Sequence, residues 1–144
     1  MATRTYTLTV IDSDSIVITW TGLLNGDDGS PFWGGGSVID SPPRAAGYSG
    51  SMDRSIEVTG TFGAAGTLVF EGTNDPTASP SYYTLEDAQG TALSFTTAKL
   101  KQILESSYKV RPRVTGGDGT TNLTVYLYIA KRHLRRKSWN LEKP

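Results

Sequence analysis

A single imidazole, His133, and no cysteine at all limit the chemistry open to this 144-residue chain. There is no His-based metal cluster, no spare imidazole to orient a catalytic partner, and no thiolate nucleophile or ligand. His133 sits inside the run Lys131-Arg132-His133-Leu134-Arg135-Arg136-Lys137, where neighbouring positive charge disfavours its protonation. It reads as a surface or interface residue rather than a general base. Asp12-Ser13-Asp14 and Asn25-Gly26-Asp27-Asp28-Gly29 carry oxygen ligands of the kind calcium takes. The first lacks the spacing and terminal Glu of an EF-hand loop, and the second serves equally well as a turn, so turn chemistry is favoured for both. Glu86-Asp87 and Asp27-Asp28 are adjacent in sequence, which does not define a glycosidase pair. Gly34-Gly35-Gly36 has no following Lys-Ser/Thr to make a phosphate loop, and Asn122-Leu123-Thr124 reads as strand and turn rather than a glycosylation site. The expectation is a protein that is not an enzyme and uses no metal or cofactor.

The residues suited to binding are of another kind. Phe32 and Trp33 stand together between Asn25–Pro31 and Gly34–Gly36, where a merely flexible linker rarely places two aromatics. Lys109, Arg111 and Arg113 alternate on one predicted strand, a basic stripe with neighbours about 7 Å apart. It suits docking on an acidic surface or on the acidic half of an adjacent copy, and a solvated outer face is an equal reading. Residues 131–144 carry six basic groups with Trp139 and Leu141. Arg135, Arg136, Trp139 and Leu141 are the expected anchors there, because a Trp seated in a partner's pocket contributes strongly to binding.

These side chains need a scaffold, and its pattern is strand alternation between turns. Tyr6, Leu8 and Val10 alternate with threonines, and Ile16, Ile18 and Trp20 follow after a polar turn, so residues 4–21 predict a hairpin with one buried face. Residues 22–54 predict a long irregular, Gly-rich loop, the kind of segment that is usually functional or disordered. Ile56, Val58 and Phe62 with Leu68–Phe70 predict a second hairpin, and Tyr82–Leu85 and Ala92–Thr96 two short strands. Leu100, Ile103 and Leu104 give the only helical spacing, a short helix or turn over 97–106. Tyr108–Val114 and Leu123–Ile129, joined through Gly116-Gly117-Asp118-Gly119, form the clearest hairpin. Pro112 lacks an amide donor, which predicts an edge strand or a bulge.

Formal charge sums to zero but is unevenly spread. Residues 1–98 hold three basic groups against eleven acidic, a balance of −8, and residues 99–144 hold eleven against three, a balance of +8. Such a chain can attract copies of itself or a partner of both signs. The N-terminus runs directly into alternating residues with no apolar leader segment, and apolar stretches fall far short of the ~20 residues of a membrane span. Neither secretion by a standard signal nor membrane insertion is expected. Nucleic acid is disfavoured as a partner, because the basic end lies on an acidic body without a stacking platform.

The runs Ile56–Phe62, Gly66–Asp75, Asp87–Phe95 and Val110–Gly119 resemble small structural proteins of tailed bacteriophages, including capsid decoration or cement proteins with jelly-roll-like β-sandwiches. They are also distantly similar to discoidin-like sandwiches, with Thr73-Asn74-Asp75-Pro76 at the characteristic turn and Tyr82-Tyr83 near that family's Trp position. The phage resemblance covers about half the chain. It implies a virion protein, assembled in the host cytoplasm, that sits on the shell of major capsid protein and stabilises it. The expected fold is all-β: one jelly-roll-like sandwich of about eight strands over residues 1–130, with the 22–54 loop and a basic tail over 131–144. The expected partners are the major capsid protein and the chain itself, as a homotrimer or a dimer. The alternative is a carbohydrate- or host-receptor-binding module of a phage tail appendage, with Trp33, Tyr48, Tyr82 and Tyr83 as stacking platforms. A small hydrolase is more remote, since no nucleophile motif is present.

Overall fold

The longest strands arise where β-branched and aromatic residues alternate with polar ones. The computed structural model of the chain describes residues 1–32, 52–105 and 107–131, with Met52 and Lys131 described by their backbone. Strand β1 (Thr3–Arg4) is followed by β2 (Tyr6–Asp12) and β3 (Ser15–Leu23), which form the expected N-terminal hairpin. The remaining strands are β4 (Asp28–Gly29), β5 (Met52–Thr61), β6 (Thr67–Thr73), β7 (Tyr83–Thr84), β8 (Ser94–Phe95), β9 (Lys99–Gln102), β10 (Lys109–Thr115) and β11 (Asn122–Lys131).

These strands form two sheets. One has the order β2-β3-β11-β5-β9; the other has the order β1-β4-β10-β6-β7, with β8 also pairing β6. In the five-stranded sheet Leu127 lies opposite Ile18 on one side and Ile56 on the other, so buried residues of three strands form rows across it. Leu68, Phe70, Val110 and Val114 come from the other sheet into the same hydrophobic cluster. Trp20 and Phe70 meet edge-on with ring centroids 6.2 Å apart, linking the two sheets. The molecule is therefore all-β and sandwich-like, and none of its described residues forms a helix.

Glycine is needed where backbones come too close for a side chain. A Cβ at Gly29 would lie 2.5 Å from both Cδ1 and Nε1 of Trp20 and 2.7 Å from Cδ of Pro112. The same approach lets Trp20 Nε1 donate to the Ser30 carbonyl at 3.0 Å, so the buried indole keeps a hydrogen bond. Gly60, at a φ of +117°, sits where a Cβ would be 2.3 Å from the Asn122 carbonyl oxygen.

Several expectations need correction. Phe32 is fully buried in the chain's own core and is not available to a partner. Its backbone exchanges two 2.8 Å hydrogen bonds with Val110, and its ring meets Tyr6 edge-on at 5.5 Å. Anchored to β10 in this way, the aromatic gains more from the apolar interior than it would in water. The segment expected to be irregular is also shorter at both ends: Leu23 belongs to β3, Asp28–Gly29 forms β4, and Met52–Arg54 starts β5. Trp33 and Tyr48 lie outside the described residues.

The helical spacing at 97–106 is misleading, because Lys99–Gln102 extends along β5 instead. A helix that short nucleates poorly, whereas a neighbouring strand edge supplies partners at once. Pro112 lies on an interior strand, not an edge. Its nitrogen faces the flank where the amides on either side of it, those of Val110 and Val114, donate to Phe32 and Asp27. Finally, Leu8 and Val10 are 40% and 64% exposed although they pair with the buried Ile18 and Ile16, so only Tyr6 of the expected apolar row packs on the core.

Candidate interaction surfaces

The expected basic stripe is present in β10, but it is neutralised by its own neighbours. Arg111 and Arg113 alternate with Val110, Pro112 and Val114, so their guanidinium groups emerge on the outer face of the six-stranded sheet. Register places Arg111 directly opposite Glu71 of β6. Glu71 Oε2 accepts from Arg111 Nε at 2.8 Å, and the carboxylate also accepts from Arg113 Nε at 3.1 and 3.2 Å. Arg111 NH1 reaches Asp28 at 3.3 Å, and Asp28 accepts from the Thr3 hydroxyl at 2.8 Å. The Arg111 guanidinium covers the Tyr82 ring at 3.9 Å from its centroid. Two positive and two negative charges thus close a surface network over a glutamate that is only 2% exposed. Burial raises the Tyr82 hydroxyl pKa; the Arg111 charge opposes this, and Glu71 and Asp28 reinforce it. With its face taken by Arg111, Tyr82 is not an open stacking platform. Tyr83, by contrast, is 70% exposed.

Three aspartates, Asp27, Asp87 and Asp118, act as structural fasteners. Asp27 accepts from the amides of Ala2 and Leu24 and from Arg4 Nε, at 2.8–2.9 Å, and ties the first strand to the β3–β4 turn. Burial raises its pKa, but the hydrogen bonds from Leu24, Arg4 and Ala2 prevail and hold it below the ordinary value. Asp87 is lowered first by Lys101, whose ammonium lies 2.9 Å away, and then by the Thr91 and Gln89 amides. Asp118 is lowered by the Thr120 hydroxyl and by the Ala64 and Thr120 amides, which staple two turns together. Among the described residues no group of three His, Cys, Asp or Glu side chains is placed to hold a metal ion.

On the inner face of β5, opposite Ile129, Arg54 is 4% exposed. Its NH2 donates to the Glu105 carbonyl, while NH1 finds no partner among the described residues. Burial lowers its pKa to about 10, with Glu105 acting in the opposite direction.

The surface that sequence reasoning missed lies on the outer face of the five-stranded sheet. Tyr126 and Tyr128 of β11 stand one behind the other, 38% and 41% exposed, in a shallow groove of about 550 Å³. Val17, Ser55, Glu57 and Leu100 complete its lining. The signal was available: both tyrosines occupy the solvent-facing positions of a strand whose other face is filled by Leu123, Val125, Leu127 and Ile129. The tail residues Arg135, Arg136, Trp139 and Leu141, and His133, lie outside the described residues.

The two-sheet fold defines a class, an all-β protein, and the comparisons go no further. No protein family and no curated protein matches the sequence. Among solved structures, a capsular polysaccharide assembling protein, CapF from Staphylococcus aureus, aligns with 92% of this chain at 11% identity and a TM-score of 0.29. CapF with the inhibitor 3-isopropenyl-tropolone aligns with 88% at 10% identity and a TM-score of 0.30. The chain spans 30% of the length of each, and likeness at that level carries no argument about fold or function.

Proposed function

We propose that the protein is a bacteriophage virion protein of the capsid decoration type, a jelly-roll-like sandwich that acts by binding rather than by catalysis. It binds the shell of major capsid protein and its own copies, as a trimer at a three-fold site or as a dimer, on particles assembled in the host cytoplasm. The observation that carries this reading is the separation of charge along the chain. Residues 1–130 hold eight basic groups against thirteen acidic, a balance of −5, whereas residues 131–144 hold six against one, a balance of +5. The arginines of β10 are already paired with Glu71 and Asp28, so the docking role falls to the C-terminal segment, with Arg135, Arg136, Trp139 and Leu141 as anchors. Several weak contacts per oligomer, engaged together, hold neighbouring shell subunits by avidity.

The test is co-sedimentation with capsids that lack this protein, comparing the full chain with a truncation after Ala130. Saturable binding that is lost on truncation supports the reading. Absence of binding by both overturns it. The second reading, a glycan-binding module, is favoured by the groove whose lining combines the half-exposed Tyr126 and Tyr128 with Glu57 and Ser55. Glycan-array binding that disappears in Tyr126→Ala, with no affinity for capsids, would establish it instead.

A further inference from the structure

A sheet edge exposes backbone donors and acceptors to any strand that arrives, and proteins usually defend it. Among the described residues, three of the four strands that end the sheet orders are defended. β1 and β7 are two residues long, and β9 carries Lys99 and Lys101 within four residues. β2 differs in length and in its apolar run, and its one irregularity is a break in register with β3 between Val10 and Asp12, at the end of the strand. It is seven residues long, ends its sheet, and has no charge, proline or glycine from Tyr6 to Ile11. Among the described residues nothing pairs with its outer edge. Leu8, Val10 and Ile11 are 40%, 64% and 53% exposed along it.

We infer that β2 is the strand through which two copies of the chain join, antiparallel and edge to edge, into one sheet continuous across a twofold axis. A twofold contact suits this edge because each copy supplies the same donors and acceptors to the other. Antiparallel placement brings Leu8 and Val10 of one copy beside those of the second, on the face they share with Ile16 and Ile18, so the apolar interior of each body continues into the next. It also sets the two Asp12 carboxylates at opposite ends of the pair, whereas parallel pairing would bring them together. The uncharged stretch Thr7–Ile11 offers no counter-charge to the basic segment 131–137, which points to a second copy as the occupant. Three aliphatic side chains and one strand edge form a small contact beside the ~1,600 Å² of a standard interface, so the dimer is concentration-dependent. This deepens the self-association in the proposed function by naming the strand and the symmetry, and it requires no capsid.

The absence of native cysteine makes the test direct. Thr7→Cys, Thr9→Cys and Val10→Cys are compared under mild oxidation with Tyr83→Cys, an exposed position on β7, using purified protein without capsids. Facing residues of paired strands have Cβ atoms about 4.5–5.5 Å apart, near the reach of a disulfide. At least one β2 variant is expected to form a covalent dimer many times faster than Tyr83→Cys. Val10→Lys is expected to abolish the dimer seen by sedimentation equilibrium with the circular dichroism spectrum unchanged. If that variant fails to fold, Thr9→Lys serves in its place. Cross-linking of the β2 cysteines no faster than the control overturns the inference, as does a lysine variant that dimerises like the parent. Loss of the cross-link on truncation after Ala130 also overturns it, because the C-terminal segment would then be what lies on β2. Failure of capsid binding alone leaves these outcomes untouched.

Discussion

At the residue scale, most charged side chains that invite a functional reading are committed to partners within the fold. Glu71 is the clearest case, a carboxylate almost without solvent that accepts from two arginines. Glu71→Gln keeps the shape but leaves Arg111 and Arg113 side by side without their shared counter-charge. The cost is expected to be roughly 1–3 kcal/mol, below that of a fully buried pair because both arginines retain contact with water. It would appear as a lower urea midpoint at unchanged slope. Acid should act through Asp27, Asp87 and Asp118, whose carboxyl pKa values are all lowered in the folded state. The unfolded chain then binds protons more readily than the folded one. The stability these groups contribute is complete above the unfolded value of about 3.9 and is lost as pH falls through the lowered folded values. Urea midpoints measured across that range should fall steeply for the parent and less steeply for Asp27→Asn, which starts from a lower plateau.

At the element scale, the two-residue strand β4 has more influence than its length suggests. It joins β1 to β10, and its Gly29 lies directly against Trp20 of the opposite sheet. Gly29→Ala must move both the Trp20 indole and the Pro112 ring, and the shift of the indole weakens its hydrogen bond to Ser30. A loss of roughly 1–3 kcal/mol is expected, the usual range for overpacking a well-filled core. Thermal denaturation would measure it, accompanied by a change in near-ultraviolet dichroism from Trp20. Sequence showed the long strands and the short ones at Tyr83–Thr84 and Ser94–Phe95, but missed β4 and β9. Ile16, Ile18, Leu123, Val125, Leu127 and Ile129 announce themselves by period. Asp28–Gly29 and Lys99–Gln102 become strands only because a partner edge stands beside them, and no local pattern encodes that.

At the scale of the whole molecule, the two proposed associations rest on different forces, one on charge and the other on a strand edge. The attraction assigned to residues 131–144 is electrostatic and should weaken as salt shortens the screening length from about 10 Å at 0.1 M. In the co-sedimentation experiment, binding by the full chain is therefore expected to decline with added salt. The β2 contact is largely apolar and hydrogen-bonded, and its dimer should survive the same salt. The two associations can thus be separated in one titration.

The sequence by itself determined the all-β character, the hairpin at 4–21 and the lack of cysteine, because period and composition are local properties. The hairpins expected over 56–70 and 108–129 do not form: β5 and β11 lie in one sheet, β6 and β10 in the other, and each connection crosses between sheets. Only the tertiary structure decided what the individual side chains do. The Arg111–Arg113 stripe is basic in sequence and neutral in space, because strand register sets Glu71 opposite Arg111. Phe32 looks like an exposed loop aromatic, yet two backbone hydrogen bonds to Val110 draw it into the core. Leu8 and Val10 read as buried, yet their strand ends a sheet and leaves them in water. Alternation tells which residues share a face of a strand; what covers that face depends on pairings between residues far apart in the chain.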